Sequence, residues 1–115
     1  MKKKYTQMFK TIPKFLSEIE TGEIMHLEAQ SNYTYVVMKD GTRMLSSYNL
    51  KIFEELLETS EFMRINRSSL VNTSFITGYI KAEGYIKLRN NLRIKVPRRR
   101  SIFLKAEYPQ IFKTV

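Results

Sequence analysis

The chain contains no cysteine and no tryptophan, and it has a single histidine among 115 residues. The absence of cysteine excludes disulfide bonds, thiol catalysis and zinc sites built on thiolates. Long apolar runs are also missing. The longest is Tyr35-Val36-Val37-Met38, whereas a membrane-spanning helix needs about 18 apolar residues. The basic start Met1-Lys2-Lys3-Lys4 continues into a segment that is no apolar signal core, so we expect a cytoplasmic protein with no membrane partner.

Positive charge is what the sequence has in excess. Twenty Lys and Arg residues against eleven Asp and Glu residues give a net charge of +9, which is typical of proteins with a polyanionic partner such as nucleic acid. From residue 86 to residue 105 there are eight basic residues and no acid, while four acids lie in the short segment 54–61. This separation of charge favours a nucleic-acid binder over a protein that is merely basic.

The pattern of apolar residues predicts a mostly β domain. Strands are expected at 24–29, 34–39, 43–46, 62–66, 69–71, 75–80, 85–88 and 92–96. Asp40-Gly41 predicts a tight hairpin turn, and Arg89-Asn90-Asn91 predicts another. In the last strand, Leu92, Ile94 and Val96 should point to the core and the residues between them to solvent.

Two helices interrupt this pattern. Leu50, Phe53, Leu56 and Leu57 fall on one helical face, with Ser46 or Ser47 as the expected N-cap. The acids of this helix should lie mainly toward solvent, and phosphate would repel them, so we do not expect it to read DNA. A terminal helix is expected over 101–107, ending before Pro109.

Catalytic chemistry finds no support in the sequence. The lone His26 lies inside a strand pattern, and neither a glycine-rich phosphate loop, a nucleophile motif nor a metal-ligand spacing is present. We therefore predict a protein that is not an enzyme and that has no cofactor and no catalytic or metal-binding residue.

Three polar segments beside strand ends suit contact with nucleic acid. They are Gln30-Ser31-Asn32, Asn66-Arg67-Ser68-Ser69 and Arg98-Arg99-Arg100-Ser101, which we interpret as loops. Arginine and asparagine can pair bidentately with guanine and adenine, and serine hydroxyls suit phosphate oxygens.

These segments, in this order and spacing, resemble the LytTR family, the DNA-binding output domain of many bacterial response regulators. The matching residues run from Ile24-Met25-His26-Leu27-Glu28-Ala29 and Ser31-Asn32-Tyr33-Thr34, through Asp40-Gly41, to Phe62-Met63-Arg64-Ile65-Asn66-Arg67-Ser68-Ser69-Leu70-Val71-Asn72 and Ile94-Lys95-Val96-Pro97-Arg98-Arg99-Arg100. The Arg-Ser-x-x-Val-Asn segment is the most specific of them.

The resemblance implies an elongated stack of small antiparallel sheets that reads double-stranded DNA in the major groove with loops. It implies base contacts from Asn32, Arg67 and Arg98. Backbone contacts are expected from Ser68, Arg99, Arg100 and Lys95, and Asn72 is interpreted as a residue that fixes a turn. The resemblance further implies paired repeat sites and a homodimer on DNA.

The chain departs from the family at two positions. Asn66 stands where the family usually has histidine, and Pro97 stands where it usually has serine, so a positive charge and a hydroxyl are lost. We divide the chain into a lead-in segment, 1–22, and a LytTR-like domain, 23–115. Relatives often carry a receiver domain ahead of this point, so the chain is either a standalone regulator or an excised piece of one.

Two other functions stay open on the sequence alone. Exposed tyrosines such as Tyr33, Tyr35 and Tyr85 would suit base stacking in an RNA-binding or ribosome-associated protein. A module that binds another protein through a sheet edge would carry its charge incidentally. Competition between duplex DNA and single-stranded RNA, and the salt dependence of binding, separate the three.

Overall fold

Residues 20–58 and 61–112 of the chain are described by a computed structural model. Two antiparallel sheets, three short α-helices and two 3-10 helices make up this part of the chain, which measures 42 by 25 by 24 Å. The prediction of a mostly β, elongated stack of small antiparallel sheets is confirmed. None of the helices in the described ranges is long and apolar enough to cross a membrane.

The larger sheet has five strands in the order β3-β2-β1-β5-β4. Their bounds are β1 Ile24–Gln30, β2 Tyr33–Met38, β3 Arg43–Ser46, β4 Phe62–Asn66 and β5 Ser69–Asn72. Strand β1 lies at the centre, where His26 pairs with Val37 on one side and Val71 on the other. The short connections β1–β2 and β4–β5 are both at the end of the sheet where β1 finishes, whereas the β2–β3 turn is at the opposite end.

The smaller sheet has three strands in the order β6-β7-β8, with bounds Ile76–Ile80, Tyr85–Leu88 and Arg93–Lys95. A 3-10 helix, Thr73–Phe75, connects it to β5, and another, Thr21–Glu23, leads into β1. The three α-helices are α1 Leu50–Leu56, α2 Arg98–Glu107 and α3 Pro109–Phe112.

Each face of the larger sheet covers its own hydrophobic core. Alternate residues along β1 point to opposite faces, so Leu27 packs against Phe53 of α1, while Met25 faces the smaller sheet and α2. Burying large side chains such as Phe53 and Ile86 contributes roughly 1.5–3 kcal/mol each to folding. The core that faces the smaller sheet contains Met63 of β4, Val71 of β5 and Ile94 of β8, and the candidate site is built on the ends of these strands.

Asn72 at the end of β5 bonds to the backbone of two neighbouring segments. Its side chain is buried, its Nδ2 donates to the carbonyl of Ile24 at 2.9 Å, and its Oδ1 accepts from the backbone N–H of Ser74 at 3.0 Å. The interpretation of Asn72 as a turn-fixing residue is confirmed.

The helical predictions need two corrections. Helix α1 is capped by Asn49, whose Oδ1 accepts from the N–H of Ile52, and not by Ser46 or Ser47. Ser46 is the last residue of β3, and its Oγ accepts from the N–H of Tyr48. Helix α2 begins at Arg98, three residues earlier than predicted, so the arginine run is its first turn and not a loop. Pro97 has φ −59°, which suits the start of a helix.

Two strand predictions also need correction. The turn at Asp40-Gly41 is longer than two residues, since Asp40 Oδ1 accepts from the N–H of Thr42 and Gly41 has a φ of +94°. Leu92 lies outside β8 and is exposed, whereas Ile94 and Val96 are buried as expected. The hairpin turn predicted at Arg89-Asn90-Asn91 is present between β7 and β8, and Asn91 adopts a left-handed φ of +68°.

Candidate nucleic-acid interface

Three hydrogen bonds attach the β4–β5 and β6–β7 turns to residues at the ends of β1 and β8. The N–H of Ala29 in β1 donates to the carbonyl of Ser68 at 2.8 Å. Asn66 Nδ2 donates to the carbonyl of Lys95 in β8 at 2.7 Å. The N–H of Val96 donates to the carbonyl of Gly84 at 2.9 Å. The β4–β5 turn is therefore attached to β1 and β8, and the β6–β7 turn is attached to the segment that leads into α2.

Asn66 gives the β4–β5 turn its conformation. Besides its bond to Lys95, its Oδ1 accepts from the N–H of Ser68 at 2.8 Å, which closes a local turn around Arg67. Arg67 and Ser68 are both exposed at the tip. The asparagine found where the family usually has histidine therefore bonds to the protein's own backbone through both of its polar atoms.

Arg64 of β4 supports the same turn through hydrogen bonds to its backbone. Its Nε donates to the carbonyl of Asn66 at 2.8 Å, and its Nη2 donates to the carbonyl of Arg67 at 2.7 Å. Its Nη1 makes an ion pair with Glu54 Oε1 of α1 at 2.6 Å. One guanidinium thus fixes two successive carbonyls of the turn and ties them to a helix. Glu54 is consequently an exception among the helix acids, because Glu55 and Glu58 are exposed as predicted.

The first turn of α2 is attached to β4 through Arg100. Its Nε and Nη2 both donate to the carbonyl of Arg64, at 2.9 and 2.7 Å, and its guanidinium lies 5.2 Å from the centre of the Phe103 ring. Arg98 and Arg99 are exposed beside it. Arg100 therefore positions α2 against the Arg67 turn, and its contact with DNA backbone stays a prediction.

Asn32 lies in the two-residue turn between β1 and β2. Gln30 pairs with Tyr33 across this turn, and Ser31 adopts a left-handed φ of +59°. Asn32 is exposed. It is at the same end of the sheet as Arg67, but it does not line the depressions in which the other predicted residues meet.

Those residues meet around three adjoining depressions. The first, about 430 Å³, has Arg67, Ser68 and Lys95 among its lining residues. The second, about 720 Å³, shares Arg67 with the first and adds Arg99 and Arg100. The third, about 700 Å³, shares Lys95 with the first and adds Arg98. The structure therefore brings six of the seven predicted contact residues onto one continuous surface.

The charge of this surface is strongly positive. Nine basic residues line the three depressions, and the only acids among the lining residues are Glu28 and Glu83. The basic residues are Arg64, Lys81, Arg93, Lys95, Arg98, Arg99, Arg100, Lys105 and Arg67. Such a concentration of cations attracts polyanions and raises their rate of association.

His26 borders the first depression from the central strand. Its side chain is 5% exposed, and burial lowers the pKa of its imidazole. The carboxylate of Glu28 opposes this effect, and the guanidinium of Arg43 adds to it. The ring is therefore neutral at physiological pH and adds no charge to the surface. Within residues 20–58 and 61–112 no group of three or more acidic and histidine side chains is placed to hold a metal ion.

Sequence reasoning missed the supporting residues of this surface. The bond from Arg100 to Arg64 spans 36 residues, and that from Asn66 to Lys95 spans 29, so no local pattern reports them. The ion pair of Glu54 with Arg64 joins a helix to a strand, and no local sequence pattern predicts it either. Arg64 lies within the segment that resembles the LytTR family, but nothing in the sequence indicated its supporting role.

Comparison with known proteins identifies the class. The family described as the LytTr DNA-binding domain matches residues 16–107, and the chain belongs to that family. The match begins inside the segment that we assigned as a lead-in.

A solved structure agrees with this assignment. The LytTr DNA-binding domain of a protein described as a methyl-accepting/DNA response regulator from Bacillus cereus is 25% identical to this chain, with a TM-score of 0.68. The alignment covers 76% of this chain and 83% of that one. A comparison with curated protein sequences found no significant match. The resemblance predicted from the sequence is confirmed, and the chain is a LytTr-type DNA-binding domain.

Proposed function

We propose that this protein is a transcription regulator that binds specific sequences of double-stranded DNA and reads the major groove. The observation that carries the proposal is the convergence of the Arg67-Ser68 turn, the end of β8 and the first turn of α2 on one basic surface. These segments are held together by bonds from Asn66 to Lys95 and from Arg100 to Arg64, so the surface is organised before DNA arrives.

The exposed side chains divide into two roles. Arg67 and Arg98 each present a rigid guanidinium that can bond two atoms of a guanine edge, and Asn32 can pair with adenine. Ser68, Lys95, Arg99 and Arg100 are assigned to phosphate oxygens, where hydroxyl and cationic groups add affinity without reading sequence. The base contacts come from two turns and one helix end, so α1, with its acidic face, stays out of the groove.

Two further features belong to the proposal. Regulators of this kind bind paired repeats, so we expect two copies on each operator, in contact as a homodimer on DNA. A protein that acts on the chromosome in a two-component pathway works in the bacterial cytoplasm, and we assign it to that compartment.

The test is a competition between duplex DNA and single-stranded RNA for the purified protein, repeated over a range of salt concentrations. Log K should fall with log salt by about 0.9 per neutralised phosphate, so the three cations assigned to phosphates, Lys95, Arg99 and Arg100, predict a slope of about −2.7. Preference for duplex DNA with a slope at least this steep supports the proposal. Preference for single-stranded RNA would favour the RNA-binding alternative, and a slope near zero would favour binding to another protein.

A further inference from the structure

The third depression contains two lysines that the proposed contacts leave without a role. Lys81 is in the β6–β7 turn and Lys105 is near the end of α2, and they line this depression together with Lys95 and Arg98. Glu83 is the one acid among its lining residues. In the described ranges the ion pairs are Lys39 with Glu23 and Arg64 with Glu54, so none of these four cations is neutralised by a carboxylate.

Gathering four cations around one depression costs free energy through mutual repulsion unless an anion binds there. Two of the four cations, Lys95 and Lys105, are nevertheless held in place by contacts with the protein. Lys95 Nζ donates to the backbone carbonyl of Glu83 at 3.3 Å, which does not cancel its charge. The ammonium of Lys105 lies 6.0 Å from the centre of the Tyr79 ring, a distance at which the ring face attracts it without neutralising it.

Gly84 in the β6–β7 turn lies beside the side chain of Lys95. Gly84 has a φ of +71°, and a Cβ atom added to it would lie 3.4 Å from Lys95 Nζ. Its N–H donates to the carbonyl of Ile80 at 2.8 Å, and its carbonyl accepts from Val96. This turn therefore sits beside the end of β8, where the Asn66 bond also attaches the Arg67 turn.

We propose that Lys81 and Lys105 form an additional phosphate-binding site, which extends the DNA-binding surface from the first turn of α2 to the β6–β7 turn. The occupant is the DNA backbone that flanks the base contacted by Arg98. The inference rests on the proposed function, since the same duplex must cross both parts of the surface.

The test compares Lys81→Gln, Lys105→Gln and the double variant with the wild type on the preferred duplex and on its single-base variants. Each single substitution should lower the magnitude of the salt slope by about 0.9, and affinity at 50 mM salt should fall by several-fold. The double variant should lower the slope by about 1.8. The ratio of affinities for preferred and altered duplexes should not change, because phosphate contacts carry no sequence information.

Lys39→Gln is the matched control. It removes the same charge in the β2–β3 turn, at the opposite end of the larger sheet, and should leave the slope unchanged. The proposal is overturned if the control lowers the slope as much as Lys81→Gln does, because the effect is then one of net charge. It is also overturned if the double variant keeps the wild-type slope while site preference persists, a result that leaves the proposed function intact. If the wild type shows no preference for duplex DNA, both fail together. Thermal unfolding of each variant checks that it is folded.

Discussion

Replacing Arg64 by methionine keeps most of the side-chain length and removes the guanidinium that supports the Arg67 turn. Three hydrogen bonds are lost, one to Glu54 and two to the carbonyls of Asn66 and Arg67. The ion pair is worth about 0.5–1 kcal/mol, because the Glu54 side chain is 42% exposed and water screens it. The two bonds to carbonyls add roughly 1–1.5 kcal/mol each.

The free energy of unfolding should therefore fall by about 2.5–4 kcal/mol in Arg64→Met, which denaturant titration can measure. A second effect is expected on DNA binding, which should be measured at a temperature where the variant is folded. Without its support the Arg67 turn is no longer held in one conformation, so the ratio of affinities for preferred and single-base-altered duplexes should drop. The salt slope should stay within half a unit of the wild type, because the guanidinium of Arg64 donates its hydrogen bonds to groups of the protein.

A matched pair of acid variants separates the ion pair from the charge of the helix. Glu54→Ala removes the partner of Arg64 and should destabilise the protein by about 1 kcal/mol or less. Glu55→Ala, the neighbouring exposed acid, should leave both stability and site preference as they are. The reasoning is refuted if Arg64→Met lowers the salt slope by a full unit with the preference intact, since Arg64 would then be a phosphate contact.

Three other predictions concern single side chains. Arg98→Ala should cost roughly 1–3 kcal/mol on the preferred duplex and relax the choice at one base position, whereas Lys95→Ala should weaken all duplexes equally and lower the salt slope by about one; a uniform loss in Arg98→Ala would make that residue a phosphate contact. Burial lowers the pKa of His26 in the folded state. As the pH drops below about 6.5, the unfolded state therefore binds more protons than the folded state, and the free energy of unfolding decreases. In His26→Gln, the free energy of unfolding should decrease less between pH 7.5 and pH 5.5 than it does in the wild type. An unchanged pH dependence would show that His26 does not cause this decrease. Asn72→Ala should destabilise by roughly 2–3 kcal/mol because the carbonyl of Ile24 loses its buried partner, and a melting temperature like that of the wild type would contradict this.

Local patterns were sufficient to place the eight strands and α1 along the chain, although not all of their ends. Alternating burial in β4, where Met63 and Ile65 are buried between partly exposed neighbours, is a property of consecutive residues. The cap of α1 was harder, because Ser46, Ser47 and Asn49 are all suitable cap residues within four positions. Their choice depends on where β3 ends, and pairing of Ser46 with Thr34 decides that point.

The start of α2 was missed for a different reason. Arg98, Arg99 and Arg100 carry no apolar periodicity, so the run resembled a loop, yet arginine has a high helix propensity and Pro97 sets up a helix start. The attachment of this turn to β4 through Arg100 depends on a contact between distant segments. The candidate contact residues were predictable from the family resemblance, whereas the network that positions them required the structure.

Selection of duplexes from a random DNA pool by the purified protein tests the central claim most directly. The pool should be applied at physiological salt, where phosphate contacts alone hold DNA weakly. The account predicts recovery of a recurrent motif, present as two spaced repeats, that Arg67→Ala no longer enriches. Recovery of unrelated sequences by the wild type, or of the same motif with equal enrichment by Arg67→Ala, would contradict it.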